Sequence, residues 1–283
     1  MKKRLFAALT ALTALTTFAF AGCSGAGSAE TTTAAQQNTE TGDVDQSLQK
    51  VLDSKQLILG LDATFVPMGF TDESDQIVGF DIDVAEEVCA RLGVTLVKQP
   101  IDWATKETDL EVGKIDCIWN GMSVSPSRAE VMNLSEPYMK NDMIFVVANG
   151  SDFKASSDLT GKNVAVQNGS TAQEILEGSD LGKTMTVTAI ATNVEALQQL
   201  EVGLVDGVFL DSVVANYLIT ANGKDYRILP ETLGEQEEYA IGFRKKDCAL
   251  RDKVQSILSE MKADGKLGEI STKWFGSDIT TVK

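Results

Sequence analysis

Lys114-Ile115-Asp116-Cys117-Ile118-Trp119-Asn120-Gly121-Met122-Ser123-Val124-Ser125-Pro126-Ser127-Arg128 is the stretch on which the fold turns. The run from Lys114 to Trp119 reads as a strand. Gly121 ends it and lets another group come close to the backbone. Hydroxyls follow at alternate positions, Ser123 and Ser125, and Pro126 permits a helical turn that carries Arg128. Small hydroxylated residues with one guanidinium make a receptor for a carboxylate, whose two oxygens the guanidinium can grip together. The same residues also read as a serine-capped helix with a solvated arginine.

A second strand, glycine, hydroxyl and helix start lies further on. Asn163–Gln167 reads as a strand, Asn168-Gly169-Ser170-Thr171 as a turn, and 172–177 as a helix. Such a turn presents backbone N–H groups to an anion. A phosphate loop would want more glycine and a lysine, so a carboxylate fits better. The strand 205–211 ends in Asp211, which could bind an ammonium or cap the helix 212–221. The strand 56–62 ends in Asp62, at the carboxyl end where ligands lie in open α/β sheets. Phe65 follows three residues later. Asp62 also reads as a turn-forming or capping aspartate, and Phe65 as a core aromatic.

Helical spacing predicts helices over 46–54, 84–92, 105–112, 194–202 and 247–264, and strands over 94–97, 143–147, 186–190 and 239–243. The chain thus reads as two α/β units of alternating strands and helices. They are expected to be joined by extended segments near Met143–Val147 and Tyr239–Phe243.

Composition bounds the chemistry. The chain has 283 residues, 43% hydrophobic and 23% charged, with a net charge of −16 and no histidine. That length can hold one or two domains with real cores. The acidic balance argues against nucleic acid or an anionic membrane surface as a charge partner. The lack of histidine removes Ser-His-Asp and Cys-His catalysis, zincin motifs and imidazole metal sites. No glycine-rich phosphate loop and no CxxC pair is present.

Met1-Lys2-Lys3-Arg4 is a basic head, and the uncharged run 5–21 is shorter than a membrane span of ~20 residues. Residues 1–22 are expected to be a secretory signal. Phe20-Ala21-Gly22-Cys23 resembles the lipobox of bacterial lipoproteins, with Phe20 in place of the usual leucine, so Cys23 is the expected lipidation site. Residues 23–45 are then a lipid-anchored flexible tether, since 24–45 offers almost nothing to bury. Cys89 and Cys117 sit in apolar patterns and read as buried free thiols. With Cys248 they make an odd set, which leaves one bridge open as an alternative.

In combination, several motifs resemble the solute-binding proteins of ABC transporters for polar amino acids, family 3 of the bacterial extracellular solute-binding proteins. They are Asp62-Ala63-Thr64-Phe65 with Pro67 and Phe70, Val78-Gly79-Phe80-Asp81-Ile82-Asp83, Gly113-Lys114-Ile115-Asp116, Asn120-Gly121 through Arg128, Ser135-Glu136-Pro137-Tyr138, Gly161-Lys162-Asn163-Val164-Ala165-Val166, Glu195-Ala196-Leu197, Val205-Asp206-Gly207-Val208, and Lys273-Trp274-Phe275-Gly276. The resemblance implies an α/β, two-domain, type II periplasmic-binding-protein clamshell with two hinge strands. The first domain would be 46–142 plus 243–283, and the second 146–238. Arg128 would grip an amino acid's carboxylate, helped by backbone near Ser123 and by Ser170 and Thr171. Asp211 would accept the ammonium, with the carbonyl of Gly121 or Asn120. Phe65 and Trp103 would sandwich the side chain, and Asp62, Asn120 and Gln167 would read its polar end. The neutral Gln167, and Asn120 where a smaller residue is often found, leave the ligand open.

The partners implied are an amino acid, an ABC permease with its ATPase, and the membrane through the lipid anchor. The protein would be an extracytoplasmic monomer with no nucleic-acid partner, cofactor, metal or catalytic residue. Two other classes remain. Some cyclohexadienyl dehydratases resemble this family, and would need a positioned acid or base. A sensory ligand-binding module would bring a transmembrane segment and a signalling domain, whereas this sequence runs only seven residues past Gly276.

Overall fold

A computed structural model of the chain describes residues 44–220 and 223–283, all within one compact unit. The signal, lipobox and most of the tether expected above lie outside the described residues.

Two five-stranded sheets carry the body. In the first, the order is Thr95–Pro100, Gln56–Leu61, Cys117–Ile118, Gly242–Arg244, Met132–Leu134. In the second, it is Thr186–Ile190, Asn163–Gln167, Gly207–Asp211, Met143–Ala148, Tyr226–Thr232. Three strands run parallel in each; the fourth pairs antiparallel to the third, and the fifth antiparallel to the fourth. The shared order makes the two lobes counterparts. Their central strands are buried on both faces, as the apolar runs Leu57–Leu61 and Val164–Val166 require. Helices Phe80–Leu92 and Cys248–Ala263 pack on the first lobe, and Asn193–Glu201 and Ser212–Thr220 on the second.

The chain crosses between lobes on an antiparallel pair, Met139–Asn141 with Glu237–Tyr239. The connecting segments therefore lie earlier than Met143–Val147 and Tyr239–Phe243. Met143–Ala148 is a strand of the second sheet, because its continuous apolar run belongs to a core. The second expected segment is split: Glu237–Tyr239 pairs in the crossing, and Gly242–Arg244 joins the first sheet.

Other boundaries moved for local reasons. The second helix begins at Phe80 rather than Val84. Gly79, at φ +142°, makes the corner, and Asp81 and Asp83 put negative charge in the first turn, where the helix dipole favours it. The Lys114–Trp119 run contributes only Cys117–Ile118 to the ladder; beside it, Asp116 Oδ2 accepts the backbone N–H of Ile58 at 3.0 Å. The Tyr226–Thr232 strand and the Lys266–Phe275 helix add elements that periodicity did not assign. Cys89 and Cys117 are buried free thiols, and Cys248 is a free, exposed one.

Candidate functional site

Asp62, Phe65, Trp103, Asn120, Gly121, Ser123, Arg128, Gln167, Ser170, Thr171 and Asp211 line one tight cavity between the lobes. Two of the three aspartate and glutamine positions are strand ends. Asp62 directly follows Gln56–Leu61, and Asp211 closes Gly207–Asp211. Gln167 ends the Asn163–Gln167 strand. Gly121 adopts φ +57°, and a Cβ there would lie 2.6 Å from Phe65, so the close backbone approach needs glycine.

Arg128 is held in the Pro126–Val131 helix, capped by the Ser125 hydroxyl. The serine-capped helix is thus realised, while the solvated arginine is not: Arg128 is 3% exposed. Its Nη1 donates to the Ser123 carbonyl at 2.7 Å and its Nη2 to the Gly169 carbonyl at 3.5 Å. No carboxylate pairs with it among the described residues. Burial lowers its pKa, and the surrounding field of Glu107, Glu174, Glu237 and Asp211 works against that. A guanidinium remains charged in a protein, so this is a buried cation with no carboxylate partner among the described residues.

Opposite in charge stands Asp211. Its Oδ1 accepts from Tyr239 Oη at 2.6 Å and from Asn141 Nδ2 at 2.8 Å. Burial, then the nearby Glu237, push its pKa up to about 7. A cation brought to it would reverse that shift. Glu237 is itself satisfied by the Ser123 hydroxyl at 2.7 Å and Asn141 Nδ2 at 3.3 Å.

Across the cavity, Asp62 Oδ1 accepts from the backbone N–H and hydroxyl of Thr64, and Oδ2 from Gln167 Nε2 at 2.7 Å. Burial raises its pKa. The Asn120 side chain is committed within its own lobe. Its Oδ1 accepts from Asp62 N–H at 3.0 Å and its Nδ2 reaches the Gly69 carbonyl at 3.5 Å. Asn120 therefore positions Asp62, which explains its size at that place.

The cleft is shut. Gln167 on Asp62, Lys106 Nζ on the Gly169 carbonyl at 2.9 Å, and the ring pair Phe70–Tyr217 at 6.3 Å all cross it. Ser170 caps the Thr171–Gly178 helix with its hydroxyl, as a turn built to start a helix should.

Five residues that shape the site were not singled out from sequence: Asp81, Lys106, Asn141, Glu237 and Tyr239. Asp81 is fully buried, and its Oδ2 accepts Gly121 N–H at 2.7 Å and Tyr138 Oη at 3.0 Å. Burial lifts its pKa to about 7. Its signal was present in the Phe80-Asp81-Ile82 alternation, where an aspartate interrupts residues bound for the core. Asn141, Glu237 and Tyr239 come from the crossing pair, whose shortness hid it.

This strand-and-turn architecture and its paired lobes match a known pattern: the sequence profile of the bacterial extracellular solute-binding proteins, family 3, covers residues 57–277. The chain belongs to that family. The L-cystine-binding protein TcyA of Bacillus subtilis is 30% identical over 248 residues, 87% of this chain and 89% of that protein. An ABC uptake transporter substrate-binding protein from Streptococcus pneumoniae, solved with bound histidine, superposes with a TM-score of 0.81 at 39% identity. That match covers 84% of this chain and 99% of the other. An ancestral amino-acid-binding protein described as a precursor of cyclohexadienyl dehydratase superposes at 0.75 with 29% identity, covering 81% and 99%. The two-domain, two-sheet α/β fold is the family's.

Proposed function

We propose that this protein captures one polar α-amino acid between its lobes and delivers it to an ABC importer. The observation that carries the reading is the pairing within one cavity of a buried, carboxylate-free Arg128 with a buried Asp211. A zwitterion supplies the counter-charge to each, and a dry cleft makes each pairing strong. Backbone near Ser123 and the Ser170–Thr171 helix start assist at the carboxylate, and the Gly121 carbonyl at the ammonium. Phe65 and Trp103 flank the side chain.

Asp62 reads the end of that side chain. No cation pairs with it among the described residues, and Gln167 is its donor from the other lobe. A ligand with a donor or cationic end can take over that role. Relatives named for binding cystine, histidine and arginine are consistent with such ends. Asn120 lines the cavity beside Asp62 and supports it.

The lipid anchor on Cys23, the signal over 1–22 and the tether to 45 belong to the same reading: an extracytoplasmic monomer held at the cell membrane beside its permease and ATPase. Fractionation of Cys23→Ala tests the anchor, which is lost if the protein leaves the membrane fraction. Calorimetry and thermal shift on a panel of amino acids plus cystine test the function, since a bound ligand raises the melting temperature by mass action. A panel with no binder would sink it. The ancestral neighbour keeps one enzymatic alternative in view; product formed from prephenate or arogenate would establish it in place of transport.

A further inference from the structure

Lys106 does not line the cavity, yet it is 2% exposed at the start of the Lys106–Glu111 helix. Its ammonium has three N–H groups and finds three acceptors: the Trp103 carbonyl at 3.2 Å, Glu107 Oε1 at 3.0 Å and the Gly169 carbonyl at 2.9 Å. Two of these belong to its own turn and stay with it in any arrangement of the lobes. The third belongs to the second lobe and is present only when the cleft is shut. The same ammonium lies over the Trp103 ring, 5.1 Å from its centroid. One side chain thus touches the cavity-lining Trp103 of the first lobe and, in the second, the residue that precedes the lining Ser170.

The Gly169 carbonyl also receives Arg128 Nη2, but at 3.5 Å. Lys106 holds the short bond and Arg128 the long one. The guanidinium is therefore left with donors to turn toward a carboxylate, while the turn that carries Ser170 and Thr171 is fixed by a different cation.

We propose that Lys106 is a positioning residue for ligand capture: it clamps the Gly169 turn of the second lobe onto Trp103 of the first, holding the cleft closed while sparing Arg128 for the ligand. The proposal rests on the amino-acid-binding reading above. Its signature is kinetic, because a bond made only on closure acts on escape more than on encounter.

The test uses the full chain and an amino acid found by calorimetry to bind the wild type. Lys106→Met keeps the apolar stem and removes the ammonium. Loss of one charge-assisted bond is expected to raise Kd about ten- to a hundredfold. Stopped-flow tryptophan fluorescence should place most of that in a faster dissociation, with the association rate within about threefold. Lys106→Gln, which retains N–H donors, should fall between, and serves alone if the Met variant does not fold. A folded variant that releases ligand at the wild-type rate overturns the role of Lys106 while leaving the functional reading intact. A wild type that binds no amino acid overturns both.

Discussion

Gly169→Ala puts a wedge into the shut cleft. Gly169 has φ +71°, and an added Cβ would lie 2.9 Å from Ala104 Cα and 3.5 Å from Ala104 Cβ. Carbon atoms in contact sit at about 3.5–4.0 Å, so the two backbones must part by roughly 0.6–1 Å. Ala104 Cα cannot swing aside as the tip of a side chain could. The parting stretches the Lys106–Gly169 bond from 2.9 Å and the Gln167–Asp62 bond from 2.7 Å, toward lengths at which neither counts. Losing one charge-assisted bond costs the closed form about 1.5–3 kcal/mol, which is about ten- to a hundredfold in affinity. Left-handed backbone at an alanine costs a further ~1–2 kcal/mol, but in open and closed forms alike. That part lowers the melting temperature of the ligand-free protein and leaves binding untouched. Calorimetry reports the first effect and thermal melting the second. Affinity within threefold of wild type, with the same contraction on ligand addition by small-angle scattering, would refute the argument.

Three further outcomes follow from the site. Arg128→Met should weaken amino-acid binding by about 2–5 kcal/mol while the protein stays folded, as calorimetry and melting together will report. Asp62→Asn should cost ligands with a cationic side chain at least tenfold more than ligands with a neutral one, measured as paired Kd values. Asp211 and Asp81 are each raised to about 7, against an ordinary 3.8 in the unfolded chain. Between those values the folded protein holds more protons than the unfolded one. Stability of the ligand-free protein should therefore fall as pH rises from about 4 to about 7, and Asp211→Asn or Asp81→Asn should each flatten the melting curve against pH.

The readable part of the site was the part written at strand ends. Asp62, Gln167 and Asp211 each follow an apolar run, and a polar residue there faces a sheet's carboxyl end whatever packs around it. Arg128 was legible because serine, proline and glycine punctuate the turn before it. The rest depended on distant partners. Lys106 opens a helix of six residues and looks like any surface lysine until Gly169 arrives from the other lobe. Asn120 lines the cavity as expected of a site residue, but the bond its oxygen takes from the backbone N–H of Asp62, 58 positions away, left no local sign. The Phe80-Asp81-Ile82-Asp83 alternation has the period of a strand, yet Asp81 is turned inward by the N–H of Gly121, 40 positions away. The crossing strands are three residues each, too short for any period to register.

Those crossing strands also carry Asn141, Glu237 and Tyr239, whose side chains converge on Asp211 and Ser123. The axle of the clamshell is thus built from the groups that set the charge of its receptor. Mechanics and recognition share parts and cannot be adjusted one at a time. Anyone turning this protein into a biosensor should expect that altering the axle to change its speed also changes the pH at which it answers. An affinity series free of that entanglement has to be made at the Gly169 rim instead.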